Sequence, residues 1–169
     1  AHRYHDLRAT PALIRSALED FVGWSAYPAI ETFYGLLEWL NGPGSVFESN
    51  DCAFVGPGDA SGGSEKRLGC SGRVMILYRN LAKNTSKGEV RALTQAIARA
   101  AQRVDPDWAW GALGVTITSV AFTTLPGPAA RQRGEQLMLS FWAWGDDEAE
   151  VMAHLDRTLA GLTTVLRDV

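Results

Sequence analysis

The sequence predicts an α+β fold in which helices cover one face of an antiparallel sheet, with the elements in the order ααββαββα. Apolar residues recur at helical spacing in four segments, and four other segments have the apolar patterns of strands, so that two β-hairpins are each followed by a long helix. No β-α-β rhythm with glycine-rich strand-to-helix turns is present, which disfavours a doubly wound nucleotide-binding fold. With 169 residues and 46% hydrophobic content, the chain is expected to form one domain, 1–169.

Two helices are predicted near the N-terminus, over residues 11–22 and 28–40. Thr10 and Pro11 supply an N-cap and a first-turn proline for the first helix, and the Asn-Gly-Pro-Gly run at 41–44 ends the second. The apolar residues of the second helix cover more than one stripe of its surface, so a single sheet face would leave some of them exposed. We expect either the first helix or another chain to cover the remainder.

The two later helices have clear start signals. Ser86 and Glu89 form a capping box before an apolar helical face that ends at Asp105 and Pro106. The last helix opens after Gly145 with a run of acidic residues, which suits the positive end of the helix dipole. Both helices are expected to pack on the sheet through these apolar faces.

The first strand pair is predicted over residues 46–55 and 73–78. The intervening segment, 56–69, is polar and rich in glycine, and we interpret it as a mobile loop. Because its glycines are followed by Ser64 and Glu65, it lacks the lysine of a phosphate-binding P-loop. The segment is therefore predicted to connect the strands rather than to bind phosphate.

The second strand pair is predicted to begin at Leu113 and to return over residues 136–144, antiparallel to the first segment. Apolar residues occupy the odd positions up to Ile117, but after Ser119 they shift to even positions. Such a phase change predicts a β-bulge or a sharp bend in this strand.

Composition excludes several classes of protein. The chain has 16 Lys and Arg against 19 Asp and Glu, and its net charge of -3 argues against a dedicated nucleic-acid binder. No apolar run is long enough for a transmembrane helix, and the chain does not start with the pattern of a signal peptide. We therefore expect a cytoplasmic protein without a membrane partner.

Titratable residues do not form a recognisable catalytic motif. The histidines are His2, His5 and His154, which lie near the N-terminus or on the last helix, and the common hydrolase and metalloprotease signatures are missing. Cys52 and Cys70 flank the glycine-rich segment and are expected to lie near each other at its mouth. Three alternatives remain open for them: two buried thiols, a disulfide, or a metal site that lacks further ligands. No cofactor or metal is predicted.

Glu48 and Asp51 stand beside Asn50 and Cys52 in the otherwise apolar first strand. Paired carboxylates can perform acid-base chemistry when burial separates their pKa values. A polar cluster at a strand edge, in which Asn and Asp bond the nearby backbone, explains the same pattern. We retain both residues as candidate polar anchors of a binding site.

Tryptophans are the least ordinary feature of the chain. Trp108, Trp110, Trp142 and Trp144 cluster at the ends of the second hairpin, and strand alternation puts the last two on the face opposite Phe141. If helices cover one face, one of these sets must face solvent, a ligand or another protein. Tryptophan is common among interface anchors, so these four residues are predicted to bind a partner or a ligand. The alternative is that loops or the first two helices wrap that face of the sheet.

These observations favour a non-enzymatic protein-binding module that forms a homodimer. The element order is similar to that of small acidic secretion chaperones of the type III class, and an immunity protein against a bacterial toxin fits the same description. The similarity is one of topology alone and rests on no shared motif. The alternative is a small-molecule-binding domain or minor enzyme, with an aromatic pocket between sheet and helices and Glu48 or Asp51 as its anchor.

Overall fold

A computed structural model describes residues 6–60, 64–106, 112–121 and 133–169. Their order confirms the predicted fold class. The elements, in chain order, are a 3₁₀ helix at Pro11–Arg15, α1 at Glu19–Val22, α2 at Pro28–Asn41, β1 at Phe47–Asp59, β2 at Leu68–Tyr78, α3 at Leu81–Asn84, α4 at Lys87–Val104, β3 at Leu113–Ala121, β4 at Arg133–Gly145 and α5 at Glu148–Asp168.

The four strands form one antiparallel sheet in the order β1-β2-β4-β3. Both predicted hairpins are confirmed, and the return strand of each hairpin lies at the centre of the sheet. β1 and β3 are therefore the two edges. Helices α2, α5 and α4 pack side by side on one face, with α2 near β1 and α4 near β3.

The predicted start signals of the two long later helices are confirmed, and each helix has a side-chain N-cap. The Ser86 hydroxyl accepts a hydrogen bond from the Glu89 amide at the start of α4, and the Asp147 carboxylate accepts one from the Glu150 amide at the start of α5. α4 ends at Val104, directly before Asp105 and Pro106. Local sequence signals thus determine both ends of α4.

Strand alternation divides the sheet into a helix-covered face and an open face, the one on which no described helix packs. In β4 the helix-covered face carries Leu137, Leu139 and Phe141, all buried completely or nearly so. From the register, the open face is formed in β1 by Glu48, Asp51, Ala53 and Val55, in β2 by Gly69, Ser71, Arg73, Met75 and Leu77, in β4 by Gln136, Met138, Ser140, Trp142 and Trp144, and in β3 by Gly114, Thr116, Thr118 and Val120.

The chain covers its own α2. Phe21 of α1 stacks on Phe33 of α2 with ring centroids 4.3 Å apart and on Phe54 of β1 at 5.1 Å. On another side α2 packs against α5, and Phe33 also meets Phe141 in the sheet. The several apolar stripes of α2 are thus buried within one chain. The N-terminal segment, rather than another chain, covers the apolar residues that the sheet leaves exposed.

The prediction of one continuous helix over residues 11–22 is wrong. The segment forms a 3₁₀ turn at Pro11–Arg15 and a single α-turn at Glu19–Val22, with a break between them. A helix of this length is marginal in isolation, so tertiary contacts decide its shape. Here the break allows both Ile14 and Phe21 to be buried, the latter within the aromatic stack.

The predicted bulge in β3 is also wrong. β3 pairs with β4 in continuous register from Leu113 to Ala121. Ser119 and Ala121 are exposed although they share the helix-covered face, so the helices no longer dictate the apolar pattern at this end of the strand. The register shifts lie instead in β1, at Asn50 and in the Gly56-Pro57 pair.

Both ends of the expected loop over residues 56–69 are strand. β1 continues to Asp59, β2 begins at Leu68, and the Ala60 amide donates to the Arg67 carbonyl at 2.9 Å. The bulge at Gly56 and Pro57 lets the edge strand carry a proline, which has no amide proton to donate to a ladder. Separately, no helix within the described ranges is both long enough and apolar enough to cross a membrane.

Candidate functional site

The open face is organised in rows that run across the strands. One row joins Asp51, Met75, Met138 and Thr116, and the next joins Ala53, Arg73, Ser140 and Gly114. Met75 and Met138 are directly opposite each other on the two central strands and are partly exposed. The centre of this face is therefore apolar, polarizable and accessible, with polar groups on both sides.

Four of the six sequence-predicted site residues lie on the open face: Glu48, Asp51, Trp142 and Trp144. Asp51 and Trp142 are two strands and two rows apart, about 10 Å across the sheet and about 13 Å along it. The structure thus brings these residues onto one surface but not into one pocket. Trp108 and Trp110 lie outside the described residues.

Glu48 and Asp51 each pair with an arginine. Arg8 Nη1 lies 2.6 Å from Glu48 Oε2, and Arg73 Nη2 lies 2.9 Å from Asp51 Oδ2, with Arg73 and Asp51 both exposed. Solvent-exposed ion pairs contribute little to stability. The Arg73–Asp51 pair instead gives the surface one charge of each sign next to its methionines.

The layer between sheet and helices is filled by buried aliphatic and aromatic side chains, among them Phe33, Leu37, Val74, Leu139 and Leu155. Glu48 and Asp51 lie on the other side of the sheet. Neither carboxylate enters the layer in which the small-molecule alternative places its pocket.

Sequence reasoning missed an amide pair on the open face. Asn50 Nδ2, in the β1 bulge, donates to Gln136 Oε1 of β4 at 2.8 Å. The bond passes over β2 beside Leu77, which is buried although no described helix packs on this face. Period-two alternation over residues 73–78 predicts that Arg73, Met75 and Leu77 share one face of the sheet. The amide pair follows only from the register between strands.

Trp142 and Trp144 each pack on a glycine of a neighbouring strand. A Cβ atom added to Gly114 would lie 3.2 Å from the Trp142 ring, and one added to Gly69 would lie 3.1 Å from Trp144 Cδ1. Both rings remain partly exposed. Each ring covers the backbone of its glycine, and its remaining surface is available for contact with another molecule.

His154 of α5 is tied to the end of β4. Its Nδ1 accepts a hydrogen bond from the Trp144 amide at 3.0 Å, so the neutral ring carries its proton on Nε2. Burial lowers the pKa of His154 from its usual 6.5. These properties indicate a structural histidine that acts as an acceptor.

Cys52 and Cys70 are both free. The expectation that they meet at the mouth of the hairpin is wrong: Cys52 pairs with Val74, four positions along β2 from Cys70, about 13 Å away. A disulfide requires Cα atoms within about 7 Å. Burial raises the pKa of each thiol to about 12. Within the described ranges, no group of three or more His, Cys, Asp or Glu side chains is placed to hold a metal ion.

Comparison with protein-family models, curated protein sequences and solved structures finds no match for this chain.

Proposed function

We propose that this chain is a non-enzymatic protein-binding module that contacts its partner through the open face of the sheet. The observation that carries this proposal is the accessible centre of that face, where Met75, Met138 and Trp142 are partly exposed beside Arg73. Methionine, tryptophan and arginine are enriched in protein interfaces. A surface of this kind serves a secretion chaperone or a toxin-immunity protein equally well.

A binding role suits the titratable groups better than a catalytic one. The two thiols have raised pKa values of about 12, so neither is a thiolate at neutral pH. His154 uses Nδ1 to accept a hydrogen bond from the Trp144 backbone amide, so this nitrogen is not available as a base. The two candidate carboxylates form ion pairs with arginines on a sheet surface.

The first partner we propose is a second copy of the chain. A two-fold contact presents the same patch on both sides. The methionines of one copy would then meet those of the other, and Arg73 of each copy could face Asp51 of the other. Strands about 4.8 Å apart and about 30 Å long give the open face a projected area of roughly 600 Å². Side-chain relief adds to this value, and a stable interface needs about 800 Å² from each partner.

Sedimentation velocity at tens of micromolar tests this proposal. We expect a dimer for the unmodified chain and a monomer for Met138→Glu, because the new carboxylates would face each other at the centre of the contact. Ala153→Glu, at an exposed position of α5, adds the same charge elsewhere and should leave the dimer intact. A monomeric unmodified chain, or a dimer that Met138→Glu does not weaken, contradicts the proposal.

A further inference from the structure

The two edges of the sheet differ in how they are protected against pairing with another strand. β1 carries Glu48, Asp51 and Asp59, a proline at position 57, and two register shifts. Charges, prolines and bulges are the usual devices that keep an edge strand from pairing. β3 has none of them: its nine residues, Leu113–Ala121, include no charge and no proline, and its register with β4 is continuous.

The outward backbone groups of β3 can be identified from one hydrogen bond. The Trp142 amide donates to the Ala112 carbonyl at 2.9 Å, which makes residues 112 and 142 a hydrogen-bonded pair. In an antiparallel ladder such pairs recur every second residue. The backbone amides and carbonyls of the even residues of β3 therefore point towards β4, and those of the odd residues point away from the sheet. Within the described residues, no strand pairs with this outer side of β3.

The helix that flanks this edge is cationic. α4 packs against β3 and carries four exposed cationic side chains, Lys87, Arg91, Arg99 and Arg103, against one exposed anionic side chain, Glu89. Its 18 residues span about 27 Å, close to the length of about 30 Å expected for β3. A strand added to β3 would therefore lie beside a helix with an excess of positive charge.

We propose that β3 is a strand-addition site for an extended, acidic segment of another protein. The outward amides and carbonyls of β3 would supply the main-chain hydrogen bonds, and the α4 cations would select carboxylates on the side of the added strand that faces the helices. A second copy of this chain suits the edge less well, because pairing β3 with β3 would bring two cationic α4 helices together. This site is separate from the open face and does not depend on it.

A fluorescent synthetic peptide in which Glu alternates with Val is a suitable probe, with a Lys-for-Glu peptide as its counterpart. Fluorescence anisotropy should show binding of the acidic peptide, weakened by added salt, and no binding of the basic one. Ser119→Pro removes an outward amide at an exposed position and should lower the affinity about tenfold or more. Ser119→Ala keeps the amide and should bind as the unmodified chain does.

The charge contribution is tested on α4 itself. Arg99→Gln should lower the affinity about two- to fivefold, the effect of one exposed ion pair. Lys66→Gln removes a charge from the β1–β2 connection, on an element that does not flank β3, and should have no effect. Ala121→Pro, at the exposed end of β3, replaces Ser119→Pro if that variant does not fold.

Three results would overturn the proposal: equal binding of both peptides, undiminished binding to the proline variants, or an edge-to-edge dimer that the proline variants dissociate. Met138→Glu separates the two sites, since it should leave peptide binding unchanged while it dissociates the open-face dimer.

Discussion

The ring of Phe141 lies where a side chain of Gly72 would be. A Cβ atom added to Gly72 would be 2.4 Å from Phe141 Cζ and 2.8 Å from the Ala53 carbonyl oxygen, on the helix-covered face. Phe141 is fully buried there and also contacts Phe33 of α2. The glycine thus allows an aromatic residue of β4 to reach across β2 and to join sheet and helices.

Gly72→Ala should lower the free energy of unfolding by about 1 to 3 kcal/mol, the usual cost of overpacking a core. Chemical denaturation measures the change. Gly35→Ala is the matched control, because a Cβ atom at this helical position meets nothing within 4 Å. The control should be neutral or stabilising by up to about 1 kcal/mol, and a Gly72→Ala variant as stable as the control would refute the packing role of Phe141.

Stability should fall as the pH drops below about 6.5 because His154 is neutral in the folded protein. Its folded pKa is lower than its unfolded one, so its contribution is complete above the unfolded pKa and is lost as the pH falls towards the folded pKa. In the neutral ring Nδ1 accepts from the Trp144 amide, and protonation removes this acceptor. Urea denaturation at pH 7.5 and 5.5 measures the loss.

His154→Asn is the control for this pH dependence, since its side-chain oxygen can accept the same hydrogen bond and does not titrate in this range. The difference in stability between pH 7.5 and 5.5 should shrink in this variant. An unchanged difference would assign the pH dependence to other groups.

The two tryptophans should separate binding from folding. Trp142→Ala should weaken association by about 2 kcal/mol, as expected of an interface anchor, because its ring lies on the open face beside Ser140 and over Gly114. Trp144 lies at the end of β4 against Gly69 and His154, so Trp144→Ala should mainly reduce stability. Sedimentation and thermal melting of both variants test this, and equal effects on both measurements would reject the distinction.

Both thiols should be unreactive in the folded protein. Burial raises the pKa values of Cys52 and Cys70 to about 12, so the reactive thiolate is scarce at pH 8. A colorimetric thiol reagent should label them slowly in buffer and quickly in urea, and reductant should not change the melting temperature. Rapid labelling in buffer, or a melting temperature that falls with reductant, would show that this chemistry is wrong.

Local signals predicted most of the fold. Ser86, Glu89 and Asp105 define α4 through caps and a stop before proline, which act within a few residues and need no tertiary information. Residues 11–22 show the opposite case. Their helical periodicity is real, but burial of Phe21 in a stack with Phe33 and Phe54 decides the backbone.

The candidate site was predictable only in part. Alternation predicts that Trp142 and Phe141 lie on opposite faces of the sheet, and the register confirms this prediction. Alternation within one strand does not say which residues of the other strands share a row, so the Met75–Met138 pair and the Asn50–Gln136 bond follow only from register. Bulges such as that at Asn50 change the register by one residue and reassign every side chain beyond them.

Site-specific crosslinking tests most directly whether the open face is the contact surface. Ser140 lies near the centre of that face, and in a two-fold contact a cysteine there would lie near its counterpart in the second copy. Ser140→Cys, treated with a short bismaleimide, should give a dimer linked through the new cysteine. The pKa values of the natural thiols are raised to about 12, so these thiols should react slowly. Ala153→Cys on α5 should give none. No dimer from Ser140→Cys, or equal dimer from both variants, would contradict binding through the open face.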